Sequence, residues 1–398
     1  MRIAVAHSTL PDTAAAAAAL VDGLHAAGLS RASLLVVYGA ATYAPAVLGD
    51  ALAAAFPGAA LVGGSSCRGV LTHLGVWRAS FRGVAVFAVD DPAGAYGAAY
   101  APAGADPRAA AAAAAVAALE TAGRPGELPP LVWVGPAPGS EEFVLDGIRD
   151  VLGEGVLVVG GSSADDHVEG AWWQLASNGT GAAGVAVAAC FPSTPIASAF
   201  SSAYAPGPHR GAVGQVDGRT LHTVGGQRAR DWYDAGSRGA IAALPPEGGV
   251  VLGATSLHPI GRVIGQVHDV PLYALAHPER VLEDGSIRLF AALPPGAELT
   301  VMHGDPDTLV SRAGRVVTEA LGALPGRPAG VLLAYCGGCM MTVEARMPEV
   351  VAAVRAALPA GVPVLGFFSF GEQGRLAGVN LHANLMISAT VWAAPDEP

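Results

Sequence analysis

The chain is 398 residues long, 52% of them apolar and only 14% charged, with a formal net charge of −11. This composition supplies a large core and excludes a disordered chain. With no run of Lys or Arg it also lacks the basic face that phosphate binding needs, so nucleic acid is not an expected partner.

The length suggests two or three domains. Four cysteines are too few for a disulfide framework. Residues 1–9 (MRIAVAHST) are too short and too early broken for a secretory signal. The alanine runs at 14–21 and 109–119 fall well short of the roughly 20 residues that span a bilayer. A reducing cytoplasm is the expected location, and no membrane partner is expected.

In chain order, 2–7 reads as a strand and 14–27 as a helix, opened by Pro11-Asp12. LLVVYG (34–39) is a continuous apolar run, as a strand buried on both faces requires. A helix at 45–55 and a strand from 60 lead into the loop Gly63-Gly64-Ser65-Ser66, and 83–89 is a further strand. The pattern then repeats. A second alanine helix begins after Asp106-Pro107. Strand 131–135, helix 140–152 and a strand from 156 lead into Gly160-Gly161-Ser162-Ser163, followed by strand 184–190. Leu34 aligns with Leu131, Val37 with Val134, Val47 with Val144, and the two GGSS loops coincide without a gap. A third copy has its strands at 331–336, 364–366 and 385–392 and its helix at 347–358. Between the second and third copies, 192–214 reads as a linker. After it, 219–230 reads as a hairpin turning at Gly225-Gly226, 248–254 as a strand, and 286–291 and 298–303 as further strands. The expected fold class is α/β: repeated β-α-β-β units forming mixed sheets flanked by helices, in two halves, with an antiparallel-rich insertion in the second.

Each copy carries an apolar strand that runs into a small polar loop: LVGGSSCRGVL (61–71), VVGGSSADDHV (158–168) and VLGFFSFGEQG (364–374). Glycine lets backbone N–H groups approach an anion, and serine hydroxyls donate or accept. Ligands favour the carboxyl ends of strands in α/β sheets. Ser65, Ser66, Ser162, Ser163 and Ser369 would therefore offer hydroxyls to a small polar ligand. Arg68, beside Cys67, would pair its carboxylate, and Glu372 or Asp165 its amine. Asp165-Asp166-His167 with Glu169 otherwise reads as a solvated turn rather than a metal site. Cys336-Gly-Gly-Cys339 follows a strand and precedes a helix, so its thiols are pocket-lining, a redox pair or two metal ligands. His258 and His268 are the candidate iron ligands should haem be bound. No Gly-x-Ser-x-Gly elbow is present, so a serine hydrolase lacks its main sign.

The loops 63–70 and 160–166, and above all GFFSFGEQG (366–374), resemble the signature loops of the FIST family. The resemblance extends through 219–233, DGSIR (284–288) and LPPG (293–296) to Gly304-Asp305, and covers roughly residues 30–390. It implies a FIST N-terminal-like domain over 1–205 and a FIST C-terminal-like domain over 206–398. It also implies a non-enzymatic cytoplasmic sensor of small compounds such as amino acids, with no catalytic residue and no obligatory cofactor. Family members work with histidine kinases, cyclic-di-GMP enzymes or chemotaxis receptors, so a stand-alone chain would signal through a separate partner. Some bind haem and sense nitric oxide, which is the alternative function. A CxxC thiol redox protein is the second alternative. The family's first loop usually ends in Gly-Glu, where this chain has Arg68-Gly69. The family's arginine soon after the cysteine matching Cys336 is replaced here by Gly337-Gly338-Cys339, with Arg346 later.

Overall fold

The computed structural model describes residues 1–395. The first copy runs β1 (Arg2–Ser8), α1 (Thr13–Ala26), β2 (Leu34–Gly39), α2 (Pro45–Ala55), β3 (Ala60–Ser65), a hairpin of β4 (Val70–Thr72) and β5 (Gly75–Trp77), and β6 (Val84–Asp90). The second runs β7 (Ala95–Pro102), α3 (Pro107–Thr121), β8 (Leu131–Pro136), α4 (Glu141–Leu152), β9 (Leu157–Gly161), a hairpin of β10 (Gln174–Ala176) and β11 (Gly179–Gly181), and β12 (Gly184–Phe191). The third opens with β13 (Ile196–Ser202). After an insertion it resumes with the helix Pro306–Ala323, strands Pro328–Cys336 and Val364–Ser369 joined through the helix Met347–Ala356, the hairpin Glu372–Leu376/Val379–Ala383, and the strand Met386–Ala393. The helix starts follow their caps. Asp12, Asp106 and Asp305 each accept an N–H of the first turn, and a proline follows Asp106 and Asp305 directly.

The three copies build three six-stranded sheets of one design, each completed by a hairpin from another copy. In the first sheet, β1-β6-β2-β3 is extended by β10–β11 of the second copy. The second sheet is extended by Glu372–Leu376/Val379–Ala383 of the third copy, which pairs with β9. The third is extended by β4–β5 of the first, paired with Val364–Ser369. The exchange is cyclic. Helices cover the outer face of each sheet, and the inner faces share one core. Val36, Tyr38 and Phe87 of the first sheet meet Trp133 and Val159 of the second and Leu365, Phe367 and Trp392 of the third. This accounts for the unbroken apolar runs: both faces of β2 and β8 are buried. At the centre, the Phe367 ring stacks on Tyr38 at 3.6 Å and meets Trp133 edge-on at 6.0 Å, while Trp133 Nε1 donates to Tyr38 Oη at 3.1 Å.

The mixed α/β class, the repeated units and the antiparallel insertion are all present. The insertion contains a four-stranded sheet of Ala205–Ala212, Ile260–Val267, Val270–Ala276 and Glu298–His303, a five-stranded sheet of short strands, and its own core. The Gly225-Gly226 turn has left-handed φ at both glycines, as a tight hairpin needs. Two expectations differ. The supposed linker 192–214 is mostly strand, β13 and Ala205–Ala212. β13 is an edge strand of small, half-exposed residues, so its sequence lacks a clear apolar alternation. The expected strand at 248–254 is two strand residues, Gly249–Val250, followed by one helical turn, Leu252–Thr255. Among the described residues no helix is long and apolar enough to cross a membrane.

Candidate functional site

The three polar loops meet, as their common position at strand ends suggests, but their hydroxyls are spent on one another. All five candidate serines are fully buried. Ser65 Oγ accepts from Trp173 N, and Ser163 Oγ donates to Trp173 O, both at 2.9 Å. Ser66 Oγ accepts from Phe368 N at 2.8 Å and donates to Gly69 O. Ser162 Oγ donates to Glu141 and accepts from Gln373 Nε2. Ser369 Oγ donates to Glu372 at 2.6 Å. The Ser65–Trp173, Ser66–Phe368 and Ser162–Gln373 bonds tie copy to copy, and the others brace the loops within a copy. The glycines serve close packing rather than an anion nest. A Cβ on Gly64 would lie 2.6 Å from Ser163 Oγ, and one on Gly161 would lie 2.7 Å from the Phe367 ring.

Two of the expected acidic ligands are likewise engaged. Asp165 is buried, and its carboxylate accepts from the backbone N–H groups of His167, Val168, Glu169 and Ala171, so it shapes its own loop. Glu372 is fully buried and accepts from Ser369 Oγ and, at 3.0 Å, from Met386 N. Burial first, then the neighbouring Cys336 thiol, pushes its carboxyl well above the usual range. Both its oxygens are bonded within the fold, so it is not turned to a ligand amine. A raised folded pKa contributes stability that is full below the unfolded value, about 4.3, and is lost as pH rises toward the folded value. Glu372→Gln is expected to gain on the wild type as pH rises above the unfolded value, about 4.3. Melting curves across that rise check this, and parallel profiles would contradict it.

Beside this joint lies a cavity of about 500 Å³ to which all three copies and the insertion contribute. The first copy supplies Arg68, from the β3–β4 turn, and the second supplies Asp166, His167 and Val168. The third supplies Cys336, Gly338, Phe370 and Asn384, and the insertion adds Leu252, Leu257, His277 and Phe290. Arg68 and Val168 both take left-handed backbone, φ 59° and 60°, a conformation non-glycine residues hold only where their surroundings enforce it.

The mouth carries charge. Asp166 Oδ1 accepts from Arg68 N at 2.6 Å, and burial pushes its carboxyl up. The Arg68 guanidinium lies 4.9 Å over the Phe81 ring and bonds Glu344 at 3.2 Å. Arg78 holds the same Glu344 at 2.7 Å, so Arg68 can turn to a ligand without stranding that carboxylate. The floor is neutral. Burial depresses His277 to about 4 and raises Cys336. Gly338 lies against both: a Cβ there would stand 3.6 Å from the His277 ring and 3.7 Å from Cys336 Sγ.

Of the sequence candidates, Arg68 and Cys336 line the cavity, while Cys67 lies buried behind it with its thiol also raised by burial. A raised Cys336 thiol is the reverse of what a redox dithiol requires. Cys339 is buried against the Tyr204 hydroxyl at 3.5 Å. Among the described residues no three His, Cys, Asp or Glu side chains converge as a metal site. Neither of the two expected iron ligands lines this cavity. His258 places its Nδ1 3.1 Å from Nδ1 of His303, and His268 is exposed between the strands Ile260–Val267 and Val270–Ala276. Sequence reasoning missed Asp166, His277 and Asn384. The first sits in the acidic pair already noted, but the other two belong to no motif.

A second charged cluster, with Glu141 buried and Arg219 and Glu142 half-buried, joins the second copy to the insertion. Arg219 Nη2 bonds Glu141 and Glu142, both at 2.5 Å, and Ala292 N donates to Glu142. Burial acts to raise Glu142, but His382, Arg219 and the Ala292 N–H outweigh it and hold the carboxyl down at about 2.

A model of the FIST N domain matches residues 33–227, and a model of the FIST C domain matches residues 244–375. No curated protein matches the sequence. Among solved structures, a cyanuric acid hydrolase from A. caulinodans is similar at 11% identity over 99% of both chains, with a TM-score of 0.40.

Proposed function

The chain belongs to the FIST family, whose domains are sensory and bind small ligands, and from that premise we propose that this protein senses an amino-acid-like compound held in the cavity between its three copies. The observation that supports this reading is the side-by-side placement of Arg68 and Asp166 on one cavity wall. The Asp166 carboxylate is held on the Arg68 backbone N–H while Arg68 Nε donates to the Asp166 carbonyl at 3.4 Å, so a guanidinium and a carboxylate stand near each other and would match the α-carboxylate and α-ammonium of a zwitterion. The remaining wall, with Leu252, Leu257, Phe290, Met341 and Phe370, would enclose a side chain. Binding draws the three copies and the insertion together at one point, and the signal passes to a separate partner protein, of the histidine kinase, cyclic-di-GMP or chemotaxis-receptor kind.

A thermal-shift screen of the free amino acids and small carboxylates tests the reading, because a ligand that binds only the folded state raises its apparent stability. Calorimetry on the best compound should then show Arg68→Ala at least tenfold weaker, since a charge-assisted bond contributes about 1.5–3 kcal/mol. Unchanged affinity in a folded Arg68→Ala protein would remove Arg68 from the site. Absence of any shift across the screen would remove the amino-acid reading.

A further inference from the structure

The floor of the cavity has a polarity that its apolar walls do not explain. Asn384, only 2% exposed, lies between the strands Val379–Ala383 and Met386–Ala393. Its Oδ1 accepts from His277 N at 3.3 Å. A backbone N–H only donates, so this bond fixes which end of the amide is oxygen. The other end, Nδ2, is buried with no hydrogen-bond partner among the described residues, in a side chain that lines the cavity. Buried donors are rarely left so.

His277 is fixed as firmly. Its Nε2 stands 3.2 Å from Leu252 O. A carbonyl only accepts, so Nε2 carries the proton. The ring is neutral at pH 7, which leaves Nδ1 as a lone-pair acceptor, and no contact from the described residues occupies it. Asn384 and His277 are therefore neighbours in the cavity lining, one with an unpaired donor and the other with an unpaired acceptor. The nearby Glu372 carboxyl is engaged with Ser369 Oγ and Met386 N, and among the described residues lining the cavity the guanidinium, Arg68, stands at the mouth rather than the floor.

We infer that this floor selects amino acids with a carboxamide side chain, whose C=O accepts from Asn384 Nδ2 and whose N–H₂ donates to His277 Nδ1. The inference rests on the proposed seating of the α-groups at Arg68 and Asp166, and adds the identity of the group at the far end. A carboxylate side chain brings an acceptor to His277, where a donor is wanted, and an uncompensated charge to a dry site. An apolar side chain of the same length leaves Asn384 unpaired. A site built to hydrogen-bond a group discriminates strongly against an analogue that lacks it.

The test is calorimetric titration of the full chain with L-glutamine and L-asparagine, their acids L-glutamate and L-aspartate, and the apolar L-methionine and L-leucine. The expected result is that one of the two amides binds at least tenfold more tightly than its acid and than methionine or leucine. Asn384→Leu should bring that amide down to the level of methionine while leaving methionine binding in place. Asn384→Asp keeps an acceptor for the His277 N–H but loses the donor, so it should lose the amide preference too, with its fold checked by melting temperature. Equal or tighter binding of methionine or leucine in the wild type overturns the amide inference and leaves the cavity reading intact, provided Arg68→Ala weakens them. No binding of any of the six overturns both.

Discussion

Phe367→Ala will lower the stability of the whole chain by about 3–5 kcal/mol, the usual result of emptying a buried aromatic site. The ring is fully buried and touches aromatic residues from both other copies, Tyr38 and Trp133. It also fills the space that glycine leaves at position 161. The cavity cannot close by relaxation, because each wall belongs to a different sheet that is hydrogen-bonded in its own register. Urea denaturation should show one cooperative transition at a much lower midpoint, with Phe367→Leu intermediate. Gly161→Ala alone should also destabilise, and its cost should shrink in the Phe367→Ala background, since neighbouring residues do not act independently. A shift below about 1 kcal/mol for Phe367→Ala, well short of that range, would mean that the three sheets do not depend on this contact.

Arg219→Met is expected to be comparably costly, about 3–5 kcal/mol, because it leaves the buried Glu141 carboxylate, and the half-buried Glu142 beside it, without their cation. Glu141 is 1% exposed, and its only cationic hydrogen-bond partner among the described residues is Arg219. Glu141→Gln in the Arg219→Met background should recover part of the loss. The pH dependence has a definite sign. Glu142 is depressed to about 2, so its contribution is complete above the unfolded value, about 4.3, and is lost as pH falls toward 2. The wild type should therefore destabilise in acid between roughly pH 4.3 and 2, and Arg219→Met should lose that part of the acid slope. An identical acid profile in the two proteins would argue against the network.

The sequence carried the unit but not its partners. LLVVYG and LVWVG were readable as buried strands because both faces are apolar, and the gapless match of Leu34 with Leu131 followed from two copies of one β-α-β unit. That β4–β5 completes the third sheet was not readable, since a short hairpin pairs with any open edge and no local pattern names which one. The helix Pro306–Ala323 carries a signal of its own: Asp305-Pro306 at its start, and buried Leu309, Val310, Ala313, Val316, Val317 and Ala320 at helical spacing. At the site, the shared position of the Gly-Gly-Ser-Ser loops at strand ends is legible in the sequence, but residue type does not say whether a hydroxyl faces a ligand or a neighbouring loop. Arg68 was legible as the odd charge in an apolar stretch. Asn384 and His277 were not, because what distinguishes them is a lone pair and an N–H left over after every backbone partner has been assigned.

The cyclic hairpin exchange also constrains how the molecule can be made. As the chain leaves the ribosome, the first copy emerges with β4–β5 lacking its partner, which lies some 290 residues further on at Leu365–Phe367. The second copy can finish the first sheet, but β9 stays an open edge until Glu372 and Gln373 have been synthesised. The last hairpin to appear thus closes the second sheet, while the first hairpin made waits longest. An exposed strand edge held over that interval invites pairing with another chain. Synthesis of this protein should therefore lean on chaperones, and any fragment ending before residue 372 should be recovered as aggregate rather than as a smaller folded domain.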